Sequence, residues 1–135
     1  MSSHCSRTMA AAEVFSERLR EEGMTAPAAD AKCALFRHAL SALPSHTVED
    51  EPLYMLFVPG RIEVLGKHTD YAGGRSLLAA VERGFCVAAR RRDDNRVTMI
   101  DARQGRRVDF ALDVDLTGTP GDWPAYPMTV ARRVA

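Results

Sequence analysis

Residues 59–74 read PGRIEVLGKHTDYAGG, and the side chains able to do chemistry are concentrated there. Arg61 precedes Lys67, His68, Thr69, Asp70 and Tyr71, and the run closes on Gly73 and Gly74. A carboxylate such as Asp70 accepts hydrogen bonds from two neighbouring hydroxyls, and its charge strengthens each bond. A neutral His68 donates or accepts at a further hydroxyl, and Gly66 has no side chain to keep a ligand from the backbone. Arg61 is a permanently charged fork, suited to phosphate oxygens or to an alkoxide that develops during phosphoryl transfer. This set suits a small polar ligand, and a sugar best. The spacing alone also suits a surface ion pair, with Asp70 capping a turn and Tyr71 in the core.

The rest of the chain must position this segment. It has 135 residues, 46% hydrophobic and 27% charged, which is the balance of a folded globular protein. Eighteen Lys and Arg against 18 Asp and Glu give no net charge, which argues against bulk nucleic acid or an anionic membrane as partner. No apolar run approaches the ~18 residues of a membrane span, and the N-terminus has no apolar core like that of a secretory signal. A cytoplasmic protein is expected. Cys5, Cys33 and Cys86 are far apart and show no metal-ligand spacing with His4, His38, His46 or His68, so no metal site is predicted. Lys32 and Lys67 are the only lysines, against 16 arginines, and one of the two lies inside the distinctive motif.

Residues 7–22 carry Ala11, Phe15 and Leu19 at helical spacing, with Gly23 as a stop. A second helix starts near Pro27, carries Phe36, Leu40 and Leu43, and ends before Pro44. A polar connector follows to Pro52. Residues 53–58 read as a buried strand that Pro59-Gly60 breaks, with Ile62 and Val64 extended beyond it. Residues 85–91, 96–101 and 107–112 read as three strands of an antiparallel meander joined by short turns. Residues 83–107 have a net charge of +5 (eight Arg, three Asp) and residues 108–122 have −4 (four Asp), a contrast that points to cross-strand ion pairs.

PGRIEVLGKHTDYAGG resembles the sugar-recognition signature of galactokinases, members of the GHMP small-molecule kinases, usually written PGRVNLIGEHTDYNGG. Pro59, Gly60, Arg61, Gly66, His68, Thr69, Asp70, Tyr71, Gly73 and Gly74 are identical, and Ile62 and Leu65 are conservative. FCVAARRRDDNRVTMIDA resembles the family's next strand–turn–strand, and Trp123 with Tyr126 its W-x-x-Y segment. The resemblance implies an α+β fold: a truncated amino-terminal GHMP-kinase domain, like the second domain of ribosomal protein S5, with an antiparallel-rich sheet and N-terminal helices. Residues 1–52 would be a helical extension and connector, and 53–135 the incomplete sugar-binding part.

The resemblance also implies roles. Arg61 matches the arginine that stabilises charge at the transferring phosphate. His68 and Asp70 match residues that hold sugar hydroxyls, within a substrate-binding run that includes Thr69 and Tyr71. Trp123 and Tyr126 fall on the adenine side of the nucleotide pocket, although a Trp with a Tyr three residues on is also ordinary helix-face core. The complete enzyme would use ATP and Mg2+ to phosphorylate a monosaccharide, galactose or a relative.

Two departures stand out. Lys67 occupies the place of a sugar-binding glutamate, and an ammonium donates to hydroxyls but cannot accept from them. A sugar bearing a carboxylate or phosphate, or a paralogue acting on a different sugar, is the expectation. In addition, the sequence contains neither the family's G-L-S-S-S phosphate loop nor its catalytic aspartate nor its carboxyl-terminal helical domain. The chain is therefore expected to be an amino-terminal fragment, inactive alone, because phosphoryl transfer needs phosphates, metal and nucleophile held together. A non-catalytic sugar-sensing module and an RNA-binding module are the readings from other classes.

Overall fold

Phe36 is the one large side chain that is fully buried among the described residues, and the first half of the fold is arranged around it. A computed structural model describes residues 3–44 and 52–135, with the side chains of all but 3–9 and 70. Cys5, His4 and His46 lie outside the described side chains, and most of the expected connector lies outside the described residues. The elements are helices α1 (Ser3–Glu21) and α2 (Ala26–Ala42), strand β1 (Leu53–Leu65), a 3-10 turn (Thr69–Ala72), strands β2 (Leu77–Arg90), β3 (Arg96–Asp101) and β4 (Arg106–Ala111), and helix α3 (Ala125–Val134). They fall into two compact units, Met1–Ala89 and Arg90–Ala135.

In the first unit, α1 and α2 pack as a helical hairpin. Their shared faces repeat at three and four residues: Ala12, Phe15 and Ser16 on α1, and Ala29, Lys32, Phe36 and Leu40 on α2. Pro27 sits in the first turn of α2, where its missing N–H leaves no bond unmade. Phe15 meets Phe36 edge-on with ring centroids 4.7 Å apart, and burying a ring of this size is worth roughly 2–3 kcal/mol. The Ser16 hydroxyl donates to the Ala29 carbonyl at 3.0 Å, which satisfies a polar group that would otherwise be a buried cost. Arg37 pairs with Glu13 at 2.5 Å, and Arg20 with Asp30, across the two helices.

The β1–β2 ladder closes the other side of this core. Leu53, Met55 and Phe57 from β1, and Cys86 and Ala88 from β2, pack against Phe36 and Leu40. Lys32 is buried, with its ammonium 5.3 Å from the Phe57 ring centroid. Burial pushes the Cys86 thiol up, and the Lys32 charge opposes that shift. On the opposite face, Tyr54, Leu56, Val58 and Phe85 are half-exposed or more. Thr25, ahead of α2, donates to Glu82 on β2 at 2.9 Å.

Three sequence expectations are corrected here. Strand β1 is not broken by Pro59-Gly60 but runs through both residues. In a two-stranded sheet every strand is an edge, and a proline whose missing N–H faces away from the ladder costs no pairing. Gly84 helps: a Cβ there would overlap the Val58 carbonyl oxygen and lie 2.8 Å from the Pro59 Cα, so only glycine allows so close an approach. Strand β2 starts at Leu77, eight residues before the expected start. The three-stranded meander does not form, because β2 pairs with β1 and only β3 with β4.

The second unit is the antiparallel β3–β4 hairpin followed by α3. The expected cross-strand pairing of the charged blocks is observed. Arg96 and Arg92 of the basic block pair with Asp109 of the acidic one, Arg92 at 3.5 Å, and within the basic block Arg106 meets Asp101 at 3.1 Å. The Asp101 carboxylate also accepts from the Arg103 and Gln104 backbone N–H groups, each at 3.1 Å, which shapes the turn. Phe110, Pro124 and Ala131 are buried in this unit. Among the described residues, no helix is long and apolar enough to cross a membrane.

Candidate functional site

Strands β1 and β2 meet at a loop running from Gly66 to Ser76, and one backbone oxygen organises it. The Gly66 carbonyl accepts from the Thr69 N–H at 3.1 Å, the Thr69 hydroxyl at 2.8 Å and the Ser76 hydroxyl at 2.9 Å. The Thr69 hydroxyl also lies 3.1 Å from the Arg75 carbonyl, and the Gly74 N–H donates to the Thr69 carbonyl at 2.8 Å. Gly66 has a φ of 85°. A Cβ there would overlap the Arg75 carbonyl oxygen and sit 2.9 Å from the Ser76 Cα. Both the conformation and the space require glycine.

His68 follows with a φ of 62°, the one non-glycine residue in the left-handed region among the described residues. Such a conformation costs a β-carbon-bearing residue about 1–2 kcal/mol, and the bonds on the Gly66 carbonyl hold it. The result is a platform: the His68 and Tyr71 rings stack with centroids 5.5 Å apart and planes inclined by 11°. Tyr71 is 83% exposed, so it is a displayed ring and not the core residue that the alternative reading of the spacing proposed.

Lys67, His68, Thr69 and Tyr71 are thus brought together on one exposed turn. The side chain of Asp70 lies outside the described ones, although its backbone belongs to the same 3-10 turn. Thr69 ties the loop together through its hydroxyl. Arg61 lies inside extended β1, five residues before Gly66 and ~16 Å along the strand at the usual rise per residue. No hydrogen bond or ion pair among the described residues joins it to Lys67, His68 or Tyr71. Trp123 and Tyr126 belong to the second unit. The Arg106 guanidinium lies 5.1 Å from the Trp123 ring centroid, and Tyr126 is 86% exposed at the start of α3.

Sequence reasoning missed Ser76 and Arg75, whose hydroxyl and carbonyl complete the loop's bonding. Ser76 acts through its hydroxyl and Arg75 through its backbone carbonyl, and neither is recognisable until the return strand brings it back to Gly66. The described cleft of about 310 Å³ is elsewhere, between α1 and α2, and is lined by Glu13, Arg20, Asp30 and Arg37 among others.

Comparison with known proteins bears directly on this loop. Residues 45–91 match the galactokinase galactose-binding signature. The matched stretch contains β1, the Gly66–Ser76 loop and β2, and it begins in residues 45–51, which the structure does not describe. The chain is 40% identical over 77 residues to a galactokinase of Enterococcus faecalis, covering 55% of this chain and 20% of that protein. It is 35% identical over 79 residues to a galactokinase of Staphylococcus carnosus (57% and 20%), and 34% over 90 residues to one of Streptococcus mutans (65% and 23%). The chain spans about a fifth of the length of these curated relatives. No solved structure matches it.

Proposed function

We propose that this chain carries the sugar-recognition segment of a galactokinase-like phosphotransferase. The observation that supports this best is the display of the signature residues Lys67, His68 and Tyr71 on a turn pinned by Gly66, Thr69 and Ser76. In this reading His68 and Asp70 hold sugar hydroxyls, and the exposed Tyr71 ring packs against the sugar's C–H face. The bonds on the Gly66 carbonyl are made within the loop itself, which leaves less ordering to the ligand. Arg61, exposed on β1, is the residue for charge on a transferring phosphate.

In galactokinase-like transfer a bound Mg-ATP supplies the phosphoryl group. The residues present do not make up a site for it. The sequence has no G-L-S-S-S loop, and the described residues include no cluster of three or more His, Cys, Asp or Glu able to hold a metal. One face of Trp123 is taken by Arg106. Nucleotide and metal would therefore be held by residues other than these, and this chain's own part is to bind and orient the sugar.

The test is a galactose titration of the full chain, followed by amide resonances. Saturable shifts confined to residues 66–76, weakened at least tenfold by Asp70→Asn, are expected. Shifts elsewhere, or none with galactose and its close relatives, would overturn the reading.

A further inference from the structure

The charges around the loop point to the kind of sugar. In the first unit the helix arginines whose side chains are described each have an acidic partner: Arg18 has Glu22, Arg20 has Glu17 and Asp30, and Arg37 has Glu13. The hairpin differs. Lys67 and Arg75 flank the His68–Tyr71 platform in the chain, both are exposed, and neither side chain has a hydrogen-bond or ion-pair partner among the described side chains. Residues 66–76 contain one acid, Asp70, against these two cations. Even with Asp70 fully engaged by one of them, a positive charge remains uncompensated at the loop.

The two cations are also held close together in the backbone. Gly66 packs so tightly against Arg75 and Ser76 that a Cβ has no room, and Lys67 is the next residue. The Thr69 and Ser76 hydroxyls fix that approach through the Gly66 carbonyl. Like charges brought together repel, and an anion between them converts that cost into attraction. Lys67 supplies a point charge with three donors, and Arg75 a planar fork that matches a carboxylate or phosphate with two parallel bonds. Neither can accept a bond from a neutral hydroxyl.

We infer that the loop selects a monosaccharide carrying an anionic group, a carboxylate or a phosphate, read by Lys67 and Arg75 beside the His68–Tyr71 platform. The inference rests on the proposed sugar recognition and names the substrate class of that same site.

The experiment measures binding of galactose, galacturonate, galactose 6-phosphate and inorganic phosphate to the full chain by calorimetry at low and high salt. One of the two anionic sugars is expected to bind about fivefold or more tightly than galactose at low salt, with the advantage fading as salt is raised. Which of the two is favoured identifies the group. Arg75→Gln should reduce the advantage of the anionic sugar over galactose towards unity. Lys67→Glu should invert the preference. Galactose bound as well as or better than both anionic sugars overturns the inference and leaves sugar recognition standing. Inorganic phosphate binding as tightly as the anionic sugars also overturns it, by showing an unspecific anion patch. No binding by any of the three sugars removes the sugar reading itself, and this inference with it.

Discussion

The imidazole of His68 lies nearly parallel to the phenol ring of Tyr71, centroids 5.5 Å apart, although His68 must adopt a left-handed backbone to present it. A strained residue kept in place by its surroundings is a common mark of a working site. His68→Gly separates the two roles. The variant relieves the backbone cost of about 1–2 kcal/mol, so its thermal midpoint should equal or exceed that of the parent while sugar affinity falls. A drop in midpoint would mean that the histidine ring is structural.

Tyr71→Ala tests the platform from the other side. The ring is largely exposed, so calorimetric stability should change by less than about 0.5 kcal/mol. Loss of a stacking surface worth about 0.5–1.5 kcal/mol should weaken sugar binding two- to tenfold. Unchanged affinity by titration would exclude Tyr71 as a contact.

Gly66→Ala should do what no loop-surface change does. The added carbon overlaps the Arg75 carbonyl and sits on a φ of 85°. A cost of about 1–3 kcal/mol is expected, with faster amide exchange at Thr69 and Gly74, whose N–H groups close the turn. Protection equal to the parent's would contradict the account of the loop.

Phe36→Ala removes a large, fully buried side chain together with its edge contact to Phe15. Truncations of this kind cost about 3–5 kcal/mol, which is much of the stability of a domain this size. Denaturant unfolding should show the midpoint falling steeply. A loss under about 1 kcal/mol would place the core elsewhere.

Acid should loosen the second unit. Its Arg92 neighbour holds Asp94 below the usual carboxylate range, Arg106 does so for Asp101, and the Thr98 hydroxyl and then Arg96 for Asp109. A carboxylate whose folded pKa is depressed stabilises the fold above its unfolded value of about 4 and loses that contribution as pH falls through the folded value. Thermal unfolding followed by Trp123, the sole tryptophan, should therefore shift down between pH 5 and pH 3, and Asp109→Asn should flatten the dependence. A midpoint constant over that range would refute it.

Much of this was legible in the residues. Helices α1 and α2 follow from apolar positions at three- and four-residue spacing, and β3 from alternation around two turns. Strand β2 was half hidden because Leu77-Leu78-Ala79-Ala80 has no alternation and Gly84 reads as a break. Pairing with β1 makes it a strand. Pro59 misled for a related reason, since proline's cost depends on which way its missing N–H faces. Helix α3 was not assigned from the pattern: it is ten residues long and carries Pro127 in its first turn. The site residues were legible as types in a row, whereas the bonds that pin them run through carbonyls, which leave no trace in residue identity.

The outer face of the β1–β2 ladder, with Tyr54, Leu56, Val58 and Phe85 turned to water, makes the molecule an amphiphile. It should coat plastic and gather at air–water boundaries, and it should brighten a polarity-sensitive dye without any denaturant. Vigorous shaking should cost soluble material, and a single lysine in place of Phe85 should spare most of it.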